Sequence, residues 1–166
     1  MKSLLALLFC IGALVASTGA QLPYSQLPEQ HRRAIDLAVE YFNSKLNTKS
    51  RQSFRFFRLV SSVHETKLTS NRFHLNLNFI LRATECLLVE ASNVNDCEFR
   101  KDGPRVDCFG CFIAERNNVE KQKIDCVQRN KVTEEIQRKR NEECNPDKYR
   151  PGEGLLLASR GCKGCY

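Results

Sequence analysis

Hydrophobic positions along the chain change period more than once, and each change marks an element. Between residues 28 and 46 they recur at helical spacing, with Ile35, Ala38, Val39, Phe42 and Leu46 on one stripe. Arg32, Arg33, Asp36, Glu40 and Lys45 fall mainly on the other faces, which predicts one amphipathic helix. Pro28 is tolerated in a first turn, where its missing N–H would have no partner. Asn47-Thr48-Lys49-Ser50 is a polar stop. The period then shortens to two. Residues 53–66 read as a strand, Phe54 and Phe56 on one face, then Phe57 and Leu59 on the other; the phase change fits a bulge. Thr69-Ser70-Asn71 is turn chemistry. In the clearest strand, Phe73, Leu75, Leu77, Phe79 and Leu81 alternate with His74, Asn76, Asn78 and Arg82, Ile80 being the exception. The two strands should form an antiparallel hairpin with one face on the core and one on water.

Residues 86–105 are polar, with Asp102-Gly103-Pro104 as a breaker, and read as a loop. Val106 to Ala114 is a third strand and Lys123 to Gln128 a fourth, with Asn117-Asn118 as their turn. Residues 133–143 are charged and form a short helix, with Glu134/Arg138 and Glu135/Lys139 at the favourable i,i+4 spacing. After Cys144, Asn145-Pro146, Arg150-Pro151-Gly152 and two further glycines predict a flexible, exposed tail. The layout is α+β: one N-terminal helix packed on a four-stranded antiparallel sheet. Burial of the helix stripe drives it, at about 25 cal/mol per Å² of apolar area.

Residues 1–20 read as a removable secretory leader. Lys2 starts it, Leu4 to Val15 form its apolar run, and Ser17-Thr18-Gly19-Ala20 offers a cleavage site after Ala20. The run is short for a membrane span, which needs about 20 apolar residues, and no later segment approaches that length. The expected product is secreted, extracellular and not integral to a membrane, with a domain over 21–144 and a proteolytically processed tail over 145–166. The whole chain carries a net charge of +7. That excess favours heparan sulfate or other anionic surfaces, and is too small and dispersed to argue for nucleic acid.

Cysteine usage sharpens the picture. Of nine cysteines, Cys10 lies in the leader. Cys86, Cys97, Cys108, Cys111, Cys126 and Cys144 crowd the middle, and Cys162 with Cys165 ends the chain. An even set in an exported protein reads as a disulfide framework that adds roughly 2–4 kcal/mol per bridge. The two C-x-x-C pairs, Cys108/Cys111 and Cys162/Cys165, have zinc-like spacing, but an oxidising compartment favours disulfides, so neither metal nor cofactor is expected. Catalytic signatures are missing from the sequence, and His31, His64 and His74 read as structural and solvated, so no enzyme is expected. Two basic clusters, Arg51/Arg55/Arg58 and Arg138/Lys139/Arg140, read as solubilising surface or as contacts for sulfated sugars or an acidic receptor. Leu155, Leu156 and Leu157 form an apolar patch, and Arg160 behind them suits a trypsin-like extracellular protease.

The spacing Cys86…Cys97…Cys108-Phe-Gly-Cys111…Cys126…Cys144, with Gly103 ahead of the third cysteine, resembles the cystatin-like superfamily and, within it, the chemerins. Cathelicidin precursors, the nearest relatives, carry four of these cysteines. The resemblance implies bridges Cys86–Cys97, Cys108–Cys126 and Cys111–Cys144; the spacing alone leaves 105 pairings of eight cysteines open. It also implies a secreted, adipokine-like chemoattractant precursor, activated by C-terminal proteolysis to bind a chemokine-like G-protein-coupled receptor. Tyr149, Pro151 and Gly152 match the active segment. Leu155, Leu156, Leu157, Ala158 and Ser159 would form the receptor-binding end once Arg160 to Tyr166 is cut away between Ser159 and Arg160. Cys162 and Cys165 stand outside the pattern. The alternative is a cathelicidin-like antimicrobial precursor, although residues 145–166 hold only four basic side chains against two acidic ones. Cysteine-protease inhibition, a third reading, lacks the Gln-x-Val-x-Gly motif in Ser61 to Asn71, and a chain with no tryptophan has no Pro-Trp loop.

Overall fold

A computed structural model describes residues 23–46, 52–88 and 96–150. Helix α1 (Glu29–Lys45) is followed by β1 (Gln52–Leu59), β2 (His64–Thr69), β3 (Arg72–Leu87), β4 (Arg105–Glu115), β5 (Asn118–Gln128) and α2 (Glu134–Glu143). All pairings are antiparallel, in the order β1-β3-β4-β5, with β2 also on β3.

The sheet therefore has five strands, not four. The stretch read as one strand over 53–66 breaks at Val60–Val63. Strand β3 is 16 residues long, enough to take two short partners on one edge. Its first half pairs with β2 (His64 opposite Asn76, Thr69 opposite Arg72) and its second with β1 (Leu59 opposite Phe79, Gln52 opposite Leu87). The register of β1 slips between Phe56 and Arg58, where the phase of the sequence changes. Leu59 was expected beside Phe57. The extra residue returns Leu59 to the face of Phe56, against the core, and leaves Phe57 alone on the opposite face, ring to ring with Phe99 at 5.5 Å.

Helix α1 covers one face of the sheet. Ala34, Ile35 and Ala38 are fully buried on Phe54, Phe56, Leu75, Leu77, Phe79 and Leu81. Alanines at i and i+4 let the helix backbone approach closely. Asn43 ties the last turn to β1, its side chain both donating to the carbonyl of Phe54 and accepting from its N–H at 2.9 Å. On β4 the ring of Phe112 folds over Gly110 into the space that a Cβ would need, so any larger residue there would have to displace that buried ring. The β4–β5 turn lies at Arg116-Asn117, one residue earlier than expected, with Arg116 in the left-handed region at φ 53°.

Three disulfides join Cys86 to Cys97, Cys108 to Cys126 and Cys111 to Cys144, the pairs that the resemblance implied. Cys108 and Cys126 are direct cross-strand partners. Cys108 and Cys111 stand three apart on a strand and so face opposite sides of the sheet, which keeps this C-x-x-C from chelating one zinc.

Candidate functional site

The second face of the sheet carries the polar chemistry. Thr133 caps α2, its side-chain oxygen accepting from the N–H of Ile136 at 3.3 Å. Three devices then hold α2 and the turn after it against β3, β4 and β5.

The first is an ion-pair cluster. Arg140, 3% exposed, sends Nη1 to Asp107 and Nε to Asp125, each at 2.7 Å. Its Nη2 donates to the carbonyl of Asp107 at 3.1 Å. Asp107 is fully buried and also receives Arg129. A guanidinium that reaches two carboxylates and a carbonyl satisfies the fork that burial would otherwise leave unpaired. The guanidinium of Arg140 lies over the ring of Phe109 at 5.8 Å. Arg140 is thus a buried anchor, not a member of an exposed basic cluster; Arg138 and Lys139 beside it are exposed.

The second device is Cys111–Cys144, from the middle of β4 to the end of α2. The third is an aromatic stack: Tyr149, in a single 3-10 turn over Pro146–Tyr149, lies on the ring of His74 at 5.2 Å and 23°. Asn145 caps that turn by accepting from the N–H of Asp147 at 2.9 Å. Residues 145–150 therefore form a folded turn and not a flexible tail, although Asn145, Asp147, Lys148 and Arg150 are exposed as expected. They fold back, and Lys148 donates to the carbonyl of Glu142 at 2.9 Å.

His74 was expected on a solvated face. It is 1% exposed, with Nε2 3.6 Å from Cys144 Sγ. His74, Cys111 and Cys144 lie close enough to hold a metal, but both sulfurs are committed to the disulfide. Burial pushes the His74 imidazole below its usual value of 6.5. An unfolded chain protonates this group more readily than the folded domain, so stability should fall as pH drops through 6.5 towards the depressed value. Thermal unfolding followed from about pH 7.5 to pH 5 should show this loss in the native chain and a smaller one in His74→Gln; parallel curves would remove His74 as the cause.

Of the other residues singled out in the sequence, Arg55 and Arg58 lie on β1. Ala20, Arg51, Pro151, Gly152, Leu155, Leu156, Leu157, Ala158, Ser159, Arg160, Cys162 and Cys165 lie outside the described residues. The anchors Asp107, Asp125 and Arg140 were missed as a group. One local signal existed: a lone carboxylate at Asp107 within an otherwise apolar strand requires a cation.

A profile of the cathelicidins matches residues 28–132. The chain belongs to the cathelicidin family. The cathelicidin-related peptide Oh-Cath of Ophiophagus hannah is 30% identical over 107 residues, 64% of this chain and 52% of that protein. The cathelicidin-related antimicrobial peptide Na_CRAMP of Naja atra is 29% identical over the same shares. Lachesicidin of Lachesis muta rhombeata is 27% identical over 60% of this chain and 50% of its own. The chain thus spans about half the length of the curated relatives it matches.

These matches correct the resemblance to chemerins, and the adipokine and receptor-ligand reading of Tyr149 to Ser159 falls with it. The cysteine spacing misled for a physical reason. Cys108 and Cys126 are spaced by the β4–β5 hairpin that they staple, so their separation follows from the sheet, and Cys144, which completes the six-cysteine pattern, lies beyond the matched residues. The profile ends at Val132. Helix α2, Cys144 and Tyr149 lie beyond it, and the three devices above bind them to the matched domain. Among the described residues no helix is long and apolar enough to cross a membrane.

Proposed function

We propose that the chain is a secreted cathelicidin-type host-defence precursor in which the disulfide-stapled sheet carries a C-terminal segment that acts on microbial membranes after extracellular proteolysis. It acts by carriage and release, not by catalysis. Family membership supports this reading, as does the name of the Naja atra relative, which is an antimicrobial peptide. The observation that carries the mechanism is the Cys111–Cys144 bridge. It fastens to β4 a helix that begins just after the family match ends, so a cut between Val132 and Cys144 frees nothing. On this reading the active piece begins after Cys144, where Lys148, Arg150, Arg160 and Lys163 outnumber Asp147 and Glu153. Anchorage of Tyr149 on His74 holds the start of that piece on the domain until it is cut.

A synthetic peptide of residues 145–166 should make anionic vesicles leak and slow bacterial growth, and the chain over residues 21–166 should do neither at equal concentration. Silence from the peptide in both assays would sink the reading. The modest charge excess predicts a potency below that of strongly basic amphipathic helices.

A further inference from the structure

His74, Cys111 and Cys144 bring three potential ligand atoms together under α2 and the turn after it. The imidazole nitrogen and the two Sγ atoms all lie within 4.8 Å of one another, and all three residues are buried. Among the described residues no other three His, Cys, Asp or Glu side chains are so placed. They come from β3, β4 and the C-cap of α2. Cys111 is the register partner of Asn76, two residues from His74 on the same face of β3, so strand pairing fixes two of the three. Tyr149 stacks on the face of the imidazole, and the lone pair of a ring nitrogen lies in the ring plane, clear of that stack. Burial also keeps the imidazole in its neutral, ligating form.

In the oxidised chain the two sulfurs bond each other and are closed to a metal. Reduction opens them. The Sγ–Sγ bond takes two electrons and two protons from two low-molecular-weight thiols, which leave as their own disulfide, and two cysteine thiols remain. Helix α2 stays in place meanwhile. Arg140, one turn before Cys144, still reaches Asp107 and Asp125, and Lys123 still reaches Glu143. Contacts that reduction does not touch thus hold Cys144 beside Cys111 and His74.

We propose that reduction of Cys111–Cys144 converts this staple into a zinc site, with His74 Nε2 and two thiolates as ligands and a fourth position for water. Zinc takes sulfur at about 2.3 Å and nitrogen at about 2.0–2.1 Å in a tetrahedron, which sets ligand atoms about 3.6–3.8 Å apart. Nε2 is already 3.6 Å from Cys144 Sγ. Only the sulfurs must part, and Cα atoms 5.7 Å apart allow that by side-chain rotation. Zinc displaces both thiol protons, and a dication with two thiolates carries no net charge, as a buried site requires. Thiolate and imidazole donors suit zinc, whereas calcium and magnesium need oxygen ligands. Cys108 and Cys126 lie on the other face of the sheet, in or against the apolar core, and have no third ligand among the described residues. On the release reading above, thiols would loosen the C-terminal segment only where zinc is absent. Zinc binding itself does not depend on that reading.

The test uses residues 21–166 with Cys162→Ser/Cys165→Ser, which removes the second C-x-x-C pair. After reduction by a phosphine, cobalt(II) should give the visible bands of a tetrahedral site and thiolate charge-transfer absorption, both abolished by one zinc per chain. The oxidised chain should give neither. His74→Ala should weaken zinc binding at least tenfold, and His64→Ala, which removes an exposed imidazole on β2, should change it less than twofold. Cys144→His keeps the test informative if the reduced chain unfolds. It leaves the other two bridges closed, needs no reductant, and sets the Cys111 thiolate among imidazoles. It should bind cobalt with a thiolate band and at least tenfold more tightly than Cys144→Ala. The absence of a tetrahedral cobalt spectrum from both the reduced chain and Cys144→His, an affinity unchanged by His74→Ala, or equal binding by the oxidised chain would each overturn the proposal. These spectra report the site alone and vesicle leakage reports the release reading, so either can fail without the other.

Discussion

Arg140→Met should lower the stability of the domain by about 3 kcal/mol, towards the lower end of the 3–5 kcal/mol seen when one partner of a buried ion pair is removed. Methionine keeps an apolar side chain of similar length but removes the guanidinium, with its ion pairs and its contact over Phe109. Asp107 would remain fully buried, with its carboxylate robbed of Nη1 and its carbonyl of Nη2. Arg129 would still reach Asp107, which is why the effect is placed at the low end; Asp125, partly open to solvent, would rehydrate. The second variant separates the cause. With Asp107→Asn added, no unpaired charge is left inside, and the double variant should be less destabilised than the sum of the two single ones by at least about 1 kcal/mol, as for neighbours in one network. Urea unfolding measures all four proteins. Additive effects would mean that Arg140 and Asp107 contribute independently and that Arg129 alone satisfies the carboxylate.

Where the sequence succeeded, a period could be counted over many residues. Helix α1 shows five apolar positions on one stripe, β3 alternates through Leu81, and the phase slip at Phe56-Phe57 is a bulge. It failed where the cause is distant. Nothing near Val60 says that β3 continues to Leu87 and so offers room for two partners on one edge. His74 follows the alternation of a half-exposed strand, and that pattern cannot reveal that the second face is also covered. Its cover, Tyr149, arrives 75 residues later. Arg140 sits on a short helix rich in charged residues and looks solvated; its carboxylates are 33 and 15 residues away in sequence. The register alignment of Arg55, Arg82 and Arg105 across β1, β3 and β4 is invisible for the same reason. Arg55, Arg82 and Arg105 belong to three separate segments, and only the strand register brings them into line. The fold class was therefore legible at the level of one helix on an antiparallel sheet. The branch of the superfamily was not, because the resemblance rested on a six-cysteine pattern whose last member, Cys144, lies beyond the residues that the family profile matches.

Cleavage inside α2 should leave the C-terminal segment attached to the domain. Arg138 and Lys139 are exposed and open to a trypsin-like protease, whereas Arg140 is buried in its ion pairs. A chain cut after Lys139 still holds its C-terminal piece through Cys111–Cys144, and its intact mass should rise by one water with no fragment lost. Reduction should then free the piece. In Cys111→Ala/Cys144→Ala the same cut should release it at once, or after mild warming, since the Arg140 cluster, the Lys123–Glu143 ion pair and the His74–Tyr149 stack are non-covalent. That variant should also lose about 3–4 kcal/mol of stability, from opening a loop whose ends lie 33 residues apart. Non-reducing mass spectrometry reads every case. Release from the oxidised native chain without reductant would show that the bridge does not close in solution, and the start of the active piece would then lie free to move upstream of Cys144. Retention, together with vesicle leakage that appears only after a cut beyond Cys144 or after reduction, would make this disulfide the element that decides which proteases can activate the protein.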